Sequence, residues 1–206
     1  MSTTPLIHVV DDDPSVRTGL LRLLDAAGFE TRGYSSTGEF LLQPLPDRAG
    51  CLLLDLRMPG PSGLELQEAL LRKKIVLPIV FLTGHGSVDS SVRAMKAGAV
   101  DFLTKPVKRD VLLDAIQRAL AHNATQRAAR EQTDQLHVRF ASLTERQREV
   151  FDRIVAGKLN KQIAAELAIA ERTVKREREQ VMAKLDAHSA ADLGRLAELL
   201  RRSTAK

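Results

Sequence analysis

The chain contains a single cysteine among its 206 residues. One thiol can form neither an intrachain disulfide nor a zinc site built from several cysteines, and this usage is typical of a reducing compartment. Cys51 lies in the apolar segment GCLLL, which predicts a buried core residue rather than a reactive thiol. We therefore expect a cytoplasmic protein and exclude a small disulfide-stabilised scaffold.

Long apolar runs are also missing. No segment approaches the roughly 20 apolar residues that a helix needs to cross a bilayer. The first ten residues lack the basic start and extended apolar stretch of a secretory signal. The sequence therefore predicts a protein without membrane association.

Positive charge is concentrated in the second part of the chain. Residues 1–123 carry 14 basic and 14 acidic side chains, so the formal net charge of +5 belongs to residues 124–206. A basic excess confined to one region favours a polyanionic partner such as DNA. The excess is modest, however, and an ordinary basic surface is the alternative interpretation.

Short apolar runs alternate with helical patterns in the first 120 residues. The runs predict strands at 6–10, 51–55, 78–83 and 99–103, with a weaker strand at 30–34. Their continuous apolar character is typical of parallel strands that are buried on both faces. Helices are expected near 14–27, 36–43, 63–72, 87–97 and 107–120. The pattern predicts a doubly wound α/β domain with a five-stranded parallel sheet.

The composition changes after residue 119. Residues 119–135 are rich in Ala, Gln, Arg and Glu and contain neither Gly nor Pro, which favours an exposed helix that continues the preceding one. A flexible tether is the alternative. We predict one domain at 1–121, a helical linker at 122–140 and a second domain at 141–206.

Only helical patterns follow in the second domain. Thr144 and Gln147 have the spacing of a capping box at the start of its first helix, and Gly157 ends that helix. Further helices are expected directly after Asn160, over KQIAAEL, from about 171 to 185 and from about 189 to 201. The sequence therefore predicts a small all-helical domain.

Polar residues follow the buried strands of the predicted sheet. They are Asp11, Asp12, Asp55, Thr83 and Lys105. Ligands of open α/β sheets bind at the carboxyl ends of the strands, where these side chains are expected to meet. Taken singly, an aspartate at a strand end is more often a helix cap than a ligand, and Asp13 before Pro14 fits that role.

The predicted group of carboxylates needs a cation or a basic neighbour to balance its charge. Mg²⁺ prefers oxygen ligands and accepts phosphate oxygens as further ligands. A lysine and a hydroxyl nearby complete what phosphoryl transfer to a carboxylate requires. Asp55 is the best nucleophile because it ends the central strand.

Four segments carry a resemblance to the receiver domain of two-component response regulators: VVDDDPSVR, LLLDLRMPGPSGLEL, IVFLTGHG and AMKAGAVDFLTKP. The resemblance covers about residues 1–121 and implies a flavodoxin-like fold. It implies that Asp55 accepts a phosphoryl group from a sensor histidine kinase and later loses it by self-catalysed hydrolysis. It further implies that Mg²⁺ binds Asp12, Asp55 and the main-chain oxygen of Arg57, with Asp11 acting largely through a metal-bound water.

The same resemblance assigns roles to three further residues. Thr83 would hydrogen-bond the phosphoryl group, and Lys105 would pair with it. Phe102 would change rotamer as Thr83 moves inward, although an ordinary core aromatic is the alternative. The family pattern also implies a cis peptide between Lys105 and Pro106.

The segment LTERQREVFDRIVAGKLNKQIAAELAIAERTVKREREQVMAKL resembles the LuxR-type helix-turn-helix. Together with the receiver pattern it is similar to the NarL/FixJ family, and most of all to its FixJ-like members. Three apolar residues on each of two successive helices have the spacing of a shared core: Ile163, Ala164, Leu167, Val174, Val181 and Leu185. The polar residues of the second helix are then expected to face the major groove of DNA.

The run from Lys175 to Glu179, including Glu177, is expected to be exposed. Glu171 and Glu179 are each four residues from Lys175, which is also typical of an ordinary solvated helix. The resemblance instead implies DNA contacts from Thr173, Lys175, Arg176, Arg178 and Glu179. The chain departs from the family pattern at Glu177, Gln180 and Ala170, where many members have His, Asn and Ser, so the operator sequence stays open.

Two functions remain under consideration. The first is a transcription factor that dimerises on phosphorylation through a face containing Val92, Lys96 and Asp101, as the resemblance implies, and that binds double-stranded DNA and RNA polymerase. The second is a receiver-controlled interaction protein without specific DNA binding. No metal-ligand cluster or nucleophile–base set appears in residues 141–206, so we expect no output enzyme activity.

Overall fold

The computed structural model describes residues 4–84 and 88–204. It divides into two compact units, the first reaching to Arg127 and the second beginning at Ala128. The first unit contains a five-stranded sheet, and the second is helical. The predicted fold class is confirmed.

Strands and helices alternate in the first unit. The strands are β1 Leu6–Val10, β2 Glu30–Tyr34, β3 Gly50–Asp55, β4 Ile79–Thr83 and β5 Asp101–Thr104. The helices are α1 Pro14–Ala26, α2 Thr37–Leu42, α3 Gly63–Arg72, α4 Val88–Lys96 and α5 Arg109–Ala141, of which the residues from Ala128 onward belong to the second unit. All the predicted elements are found, and β5 begins two residues later than expected. Residue 87, the expected start of α4, lies outside the described residues.

The five strands are parallel and have the order β2-β1-β3-β4-β5. The strand order reverses between β1 and β3, which is where ligands bind in doubly wound sheets. Asp11 directly follows β1 and Asp55 ends β3, so the two carboxylates lie at this switch point. The topology therefore brings together residues that are 44 positions apart in sequence.

Both faces of the three central strands, β1, β3 and β4, are buried. On one face Ile7, Leu53 and Val80 pack with residues of α1 and α5. On the other face Leu52, Leu54 and Phe81 pack with residues of α2, α3 and α4. Cys51 is fully buried, and burial raises the pKa of its thiol to about 12, so the predicted core role is confirmed. Continuous burial explains why these strands lack polar–apolar alternation.

Helix α1 begins as the sequence predicts. The Asp13 carboxylate accepts hydrogen bonds from the backbone N–H groups of Ser15 at 2.7 Å and Val16 at 3.1 Å, and Pro14 occupies the first turn. These bonds lower the pKa of the exposed Asp13 carboxyl. Asp13 is thereby engaged as a helix cap.

Helix α5 continues without a break through the predicted linker. The backbone N–H of Gly50 donates to Oδ1 of the buried Asn123 at 3.2 Å, and Arg127 forms a 2.7 Å ion pair with Asp47. A helix rather than a flexible tether is thus the local structure of 122–140, while the predicted domain limits at 121 and 141 stay predictions. Within 4–84 and 88–204, no helix has the length and apolar character to cross a membrane.

Four further helices form most of the second unit: α6 Glu145–Val155, α7 Asn160–Glu166, α8 Glu171–Leu185 and α9 Ala190–Thr204. The predicted capping box of Thr144 and Gln147 is present at the start of α6. Ile163, Val174, Val181 and Leu185 are buried together, and Ala164 and Leu167 pack against them. The predicted core between α7 and α8 is confirmed.

Candidate phosphoacceptor site and DNA-binding helix

Three carboxylates meet at the carboxyl edge of the sheet. Asp11, Asp12 and Asp55 each offer an oxygen within 4.8 Å of the other two. Asp11 and Asp55 are buried, whereas Asp12 is exposed. The structure therefore brings these three predicted residues together, with only one of them open to solvent.

Lys105 lies against the same carboxylates. Its Nζ donates to Oδ2 of Asp11 at 2.6 Å and lies 3.4 Å from Oδ1 of Asp55. Burial lowers the pKa of this ammonium, but its bonds and charge contacts with Asp11 and Asp55 outweigh burial, so the pKa lies above its ordinary value. The lysine is charged and balances part of the negative charge of the site.

The Lys105 backbone is held by the neighbouring strand. Its N–H donates to the carbonyl of Thr83 at 2.7 Å, and the peptide bond to Pro106 is cis, as the family resemblance implied. Thr83 itself is buried at the end of β4. The predicted hydroxyl thus ends β4, and the predicted lysine directly follows the adjacent strand β5 at the same edge of the sheet.

Asp55 has the environment of a restrained nucleophile. Oδ1 accepts a 2.9 Å hydrogen bond from the backbone N–H of Leu56. Burial raises the pKa of Asp55 and the charge of Asp11 adds to this effect, whereas Lys105 lowers it. One carboxylate face is therefore oriented by the main chain, and Lys105 offsets the cost of burying the charge.

Helix α3 approaches the end of β3 closely at Asp55. A Cβ at position 63 would overlap the carbonyl oxygen of Asp55 and lie 3.0 Å from Phe81. Glycine is therefore required where α3 meets the end of β3. This requirement was not predicted from the sequence, because it depends on how near the helix comes to the strand.

The site is suited to Mg²⁺. The three carboxylates are hard oxygen donors, and their spacing allows one ion to be shared. Arg57, whose main-chain oxygen is the fourth predicted ligand, lies two residues after Asp55 and has an exposed side chain. The donor set fits a small divalent cation that keeps water molecules and accepts phosphate oxygens.

The predicted switch and dimer residues lie on α4 and β5. Phe102 is half-buried, with its ring centroid 6.0 Å from that of Phe81. Val92 and Lys96 are exposed on α4, while Asp101 is half-buried and forms an ion pair with Arg118. The exposed fraction of Val92 is 44%, which leaves an apolar surface open to solvent.

An apolar groove of about 440 Å³ lies beside the site and was not predicted from the sequence. It runs between α1 and the segment that follows β5, with Val16, Leu20, Pro106 and Val107 among its lining residues. Lys105 belongs to both the groove and the carboxylate site. The groove itself had no local signal in the sequence, since it depends on the distance between α1 and the segment that follows β5.

Helix α8 exposes a narrower face than the sequence predicted. Lys175, Arg176 and Glu179 are exposed, and Thr173 is half-buried. The expected exposure of Glu177 is wrong: this residue is 8% exposed and shares the buried stripe of the helix with Val174 and Val181. A position three residues after Val174 returns to the same helix face, which decides its burial.

Arg178 is likewise less available than the prediction required. It is half-buried, and its NH1 donates to Oδ1 of Asn160 at the start of α7 at 3.3 Å. Arg172 was not among the predicted DNA contacts, yet it is exposed one turn before Arg176 on the same face. The helical spacing of four residues was the signal that could have identified it.

Comparison with known protein families agrees with these two regions. Residues 7–117 match the response regulator receiver domain, and residues 141–197 match the bacterial regulatory proteins of the luxR family. The matches cover most of the two units described above.

Relatives align along almost the whole chain. Nodulation protein W of Bradyrhizobium diazoefficiens is 44% identical over 199 residues, which are 97% of this chain and 88% of the relative. Transcriptional regulatory protein FixJ of Rhizobium meliloti is 42% identical over 191 residues, 93% of this chain and 94% of the relative. The solved structure of the response regulator StyR is 51% identical with a TM-score of 0.82, covering 95% of this chain and 98% of that one. The chain therefore belongs to the NarL/FixJ family of two-component response regulators, with a receiver domain and a LuxR-type DNA-binding domain.

Proposed function

We propose that this protein regulates transcription under the control of phosphorylation at Asp55 by a sensor histidine kinase. The observation that carries the proposal is the position of buried Asp55 beside Asp11, Asp12 and the Lys105 ammonium. In the same chain, α8 exposes basic residues in a region that matches LuxR-type regulators. One part can accept the signal and the other can bind DNA.

Phosphoryl transfer needs little more than positioning and charge neutralisation. A carboxylate oxygen of Asp55 attacks the phosphorus of the donor, and an acyl phosphate forms. The bond from phosphorus to the imidazole nitrogen of the kinase histidine breaks, and its electron pair leaves with the imidazole. Lys105 neutralises a phosphoryl oxygen and the Thr83 hydroxyl donates a hydrogen bond to another; later attack by water returns the carboxylate and inorganic phosphate.

Asp12, Asp55 and the main-chain oxygen of Arg57 would hold Mg²⁺, with Asp11 acting through a bound water. When bound, the ion neutralises charge that gathers on the phosphoryl oxygens. Asp11 also orders the loop of the site, since its Oδ1 accepts from the Asp13 backbone N–H at 3.0 Å. Arg17 donates to the Asp11 carbonyl at 2.6 Å and holds the same turn.

The effect of phosphorylation at Asp55 would be transmitted to the protein surface through Thr83 and Phe102. Movement of Thr83 toward the phosphoryl group makes room for the half-buried Phe102 ring to turn inward. This change would alter the surface formed by Val92, Lys96 and Asp101 and promote a homodimer, since two linked DNA-binding modules gain affinity for adjacent half-sites. Light scattering with and without phosphorylation tests this step.

DNA recognition would use the exposed face of α8. Lys175, Arg176 and Glu179 are the main candidates, and Arg172 extends the same face. Thr173 and the restrained Arg178 would contribute at its margins. The protein would work in the cytoplasm, where chromosomal DNA and RNA polymerase are available to it.

Intact-mass measurement tests the phosphorylation site. With acetyl phosphate and Mg²⁺, the wild-type chain should gain one phosphoryl mass, and chelation of Mg²⁺ should suppress the gain. Asp55→Asn should gain none, whereas Asp13→Asn should behave as the wild type because Asp13 caps α1. A phosphoryl gain in Asp55→Asn would reject the assignment.

The alternative of an interaction protein without specific DNA binding is not favoured. Residues 141–197 match the luxR family, and α8 keeps both its buried stripe and its basic outer face. Selection of bound sequences from a pool of random duplexes separates the two functions. A transcription regulator enriches one motif, and an interaction protein enriches none.

A further inference from the structure

A carboxylate lies in the apolar stripe of the DNA-binding helix. Glu177 is 8% exposed and occupies α8 between the fully buried Val174 and Val181. A charged group in such a place is costly unless hydrogen bonds and opposite charge compensate for the lost water. The contacts of Glu177 therefore indicate why the protein keeps it there.

The first partner of Glu177 is Gln147 at the start of α6. The Gln147 amide donates to Oε2 of Glu177 at 3.3 Å and to Oε1 of Gln180 at 2.8 Å. Its Oε1 accepts from the Thr144 backbone N–H at 3.2 Å and from Lys184 Nζ at 2.8 Å. These four bonds use the full capacity of an amide side chain, so Gln147 has one orientation and holds one oxygen of Glu177 in place.

The second partner is Arg176, which is exposed on the outer face of α8. Its NH2 donates to Oε1 of Glu177 at 3.2 Å, although the arginine side chain keeps 69% of its surface open. Neighbouring positions on a helix point in different directions, so the arginine must fold back to reach the carboxylate. One edge of the guanidinium is engaged, and the remaining N–H groups stay available.

We propose that Glu177 is a positioning residue that orients Arg176 for contact with a base edge, and so determines sequence specificity. A long arginine side chain loses conformational freedom on binding, and a fixed acceptor removes part of that cost before DNA arrives. Bidentate contact with guanine depends on the direction of the guanidinium. The inference rests on the proposed DNA-binding function.

Two substitutions distinguish a role of Glu177 in positioning Arg176 from a role in stabilising the fold. Glu177→Gln keeps the shape but removes the charge that attracts Arg176. Glu177→Leu fits the apolar stripe between Val174 and Val181, and Gln147 retains its bond to Gln180. A purely structural Glu177 would make the leucine variant unfold more easily, whereas a positioning residue predicts an unchanged or raised melting temperature.

The test measures anisotropy with the full chain, phosphorylated by acetyl phosphate and Mg²⁺, on a duplex selected from a random pool and on a scrambled duplex. We expect Glu177→Gln and Glu177→Leu to reduce the ratio of the affinity for the selected duplex to that for the scrambled duplex by about threefold or more. This loss is part of the discrimination that an arginine–guanine contact provides. In an Arg176→Ala background Glu177→Gln should no longer change the ratio. In a Lys175→Ala background its full effect should remain, because sites without a shared partner behave additively.

Besides a lowered melting temperature of Glu177→Leu, three further outcomes count against the proposal. An equal loss in the Arg176→Ala background shows that Glu177 does not act through Arg176. Tighter specific binding by Glu177→Gln shows that the carboxylate withdraws Arg176 from DNA. If the wild-type chain enriches no motif in the selection, the proposed DNA-binding function fails and this inference fails with it, a result distinct from the other two.

Discussion

Lys105 donates a 2.6 Å hydrogen bond from Nζ to Oδ2 of Asp11. The lysine follows β5 and the aspartate follows β1, so this bond joins residues at the ends of two strands that are not neighbours in the sheet. Asp55 ends β3, which lies with β4 between these two strands, and its Oδ1 lies 3.4 Å from the same ammonium. One cation thus holds two buried carboxylates at the switch point of the sheet.

The first prediction concerns the loss of that cation. Lys105→Met leaves Asp11 and Asp55 facing each other, so we expect the free energy of unfolding at neutral pH to fall by about 1–3 kcal/mol, a figure reduced for the partial exposure of the lysine. Millimolar Mg²⁺ should stabilise the variant more than the wild type, because the ion then supplies the missing charge. Urea denaturation with and without Mg²⁺ measures both effects.

The exposed Lys108 is the matched control for this experiment. Lys108→Met removes the same charge three residues away and should leave stability nearly unchanged. Equal behaviour of the two variants would show that the contacts of Lys105 with the carboxylates contribute nothing to the fold.

The second prediction concerns the contact of α3 with the end of β3. Gly63→Ala introduces a methyl group against the Asp55 carbonyl, so we expect about 1–3 kcal/mol of destabilisation and slower phosphorylation by acetyl phosphate. Gly19→Ala in α1 meets nothing within 4 Å and should stabilise the protein by about 0.5–1 kcal/mol. Thermal unfolding measures the stability of both variants, and intact-mass time courses measure their rates of phosphorylation. If Gly63→Ala changes neither quantity, the close approach of α3 to the end of β3 is contradicted.

The carboxylate site could be anticipated because its residues end buried strands. Asp11, Asp55 and Thr83 each follow or end an apolar run, and the parallel topology brings such ends to one edge. The recurring pattern of a polar residue at the end of an apolar run was therefore enough to predict most residues of the carboxylate site. The groove beside Lys105 and the requirement for Gly63 depend on distances between elements, which local patterns do not contain.

The burial of Glu177 in helix α8, by contrast, was not predicted from the sequence. The spacing from Val174 to Val181 placed position 177 on the buried face, but a charged residue type favoured exposure. Its partner Gln147 lies 30 residues away, so no neighbouring residue indicated that the carboxylate would be satisfied when buried. Burial of a polar group depends on its distant partner as much as on its own helix.

The third prediction is a dependence of stability on pH that arises from His8. The ring is buried, with Nδ1 2.9 Å from the Tyr34 hydroxyl, and burial, aided by Arg32 and Arg48, lowers its pKa from 6.5 to about 4. His8 therefore binds a proton below about pH 6.5 in the unfolded chain, but only below about pH 4 in the folded chain. The contribution of neutral His8 to stability is fully present above this window and is lost as the pH falls through it.

Comparison with His8→Asn isolates this effect, because the other titrating groups are shared. The wild type should lose up to about 3 kcal/mol relative to the variant between pH 6.5 and pH 4. Urea unfolding at a series of pH values gives the difference directly. A difference that stays constant over this range would show that His8 does not titrate as its burial requires.

The fourth prediction separates two exposed residues of α8. Lys175→Ala should weaken binding to specific and scrambled duplexes alike and reduce the slope of affinity against salt by roughly one unit, as expected for a phosphate contact. Arg176→Ala should act mainly on the specific duplex, at a cost of roughly 1–3 kcal/mol. Anisotropy over a salt series measures both, and proportional losses on both duplexes would show that α8 supplies charge alone.

The central claim is that phosphorylation of Asp55 controls DNA binding, and one titration tests it most directly. Full-length wild type and Asp55→Asn are titrated onto the selected duplex by fluorescence anisotropy, each with Mg²⁺ and with or without acetyl phosphate. We predict that acetyl phosphate tightens binding by the wild type about tenfold or more, since a phosphorylation-driven dimer links two binding modules, and leaves Asp55→Asn unchanged. Equal affinities of the wild type with and without a confirmed phosphoryl group, or an equal gain in Asp55→Asn, would contradict the claim.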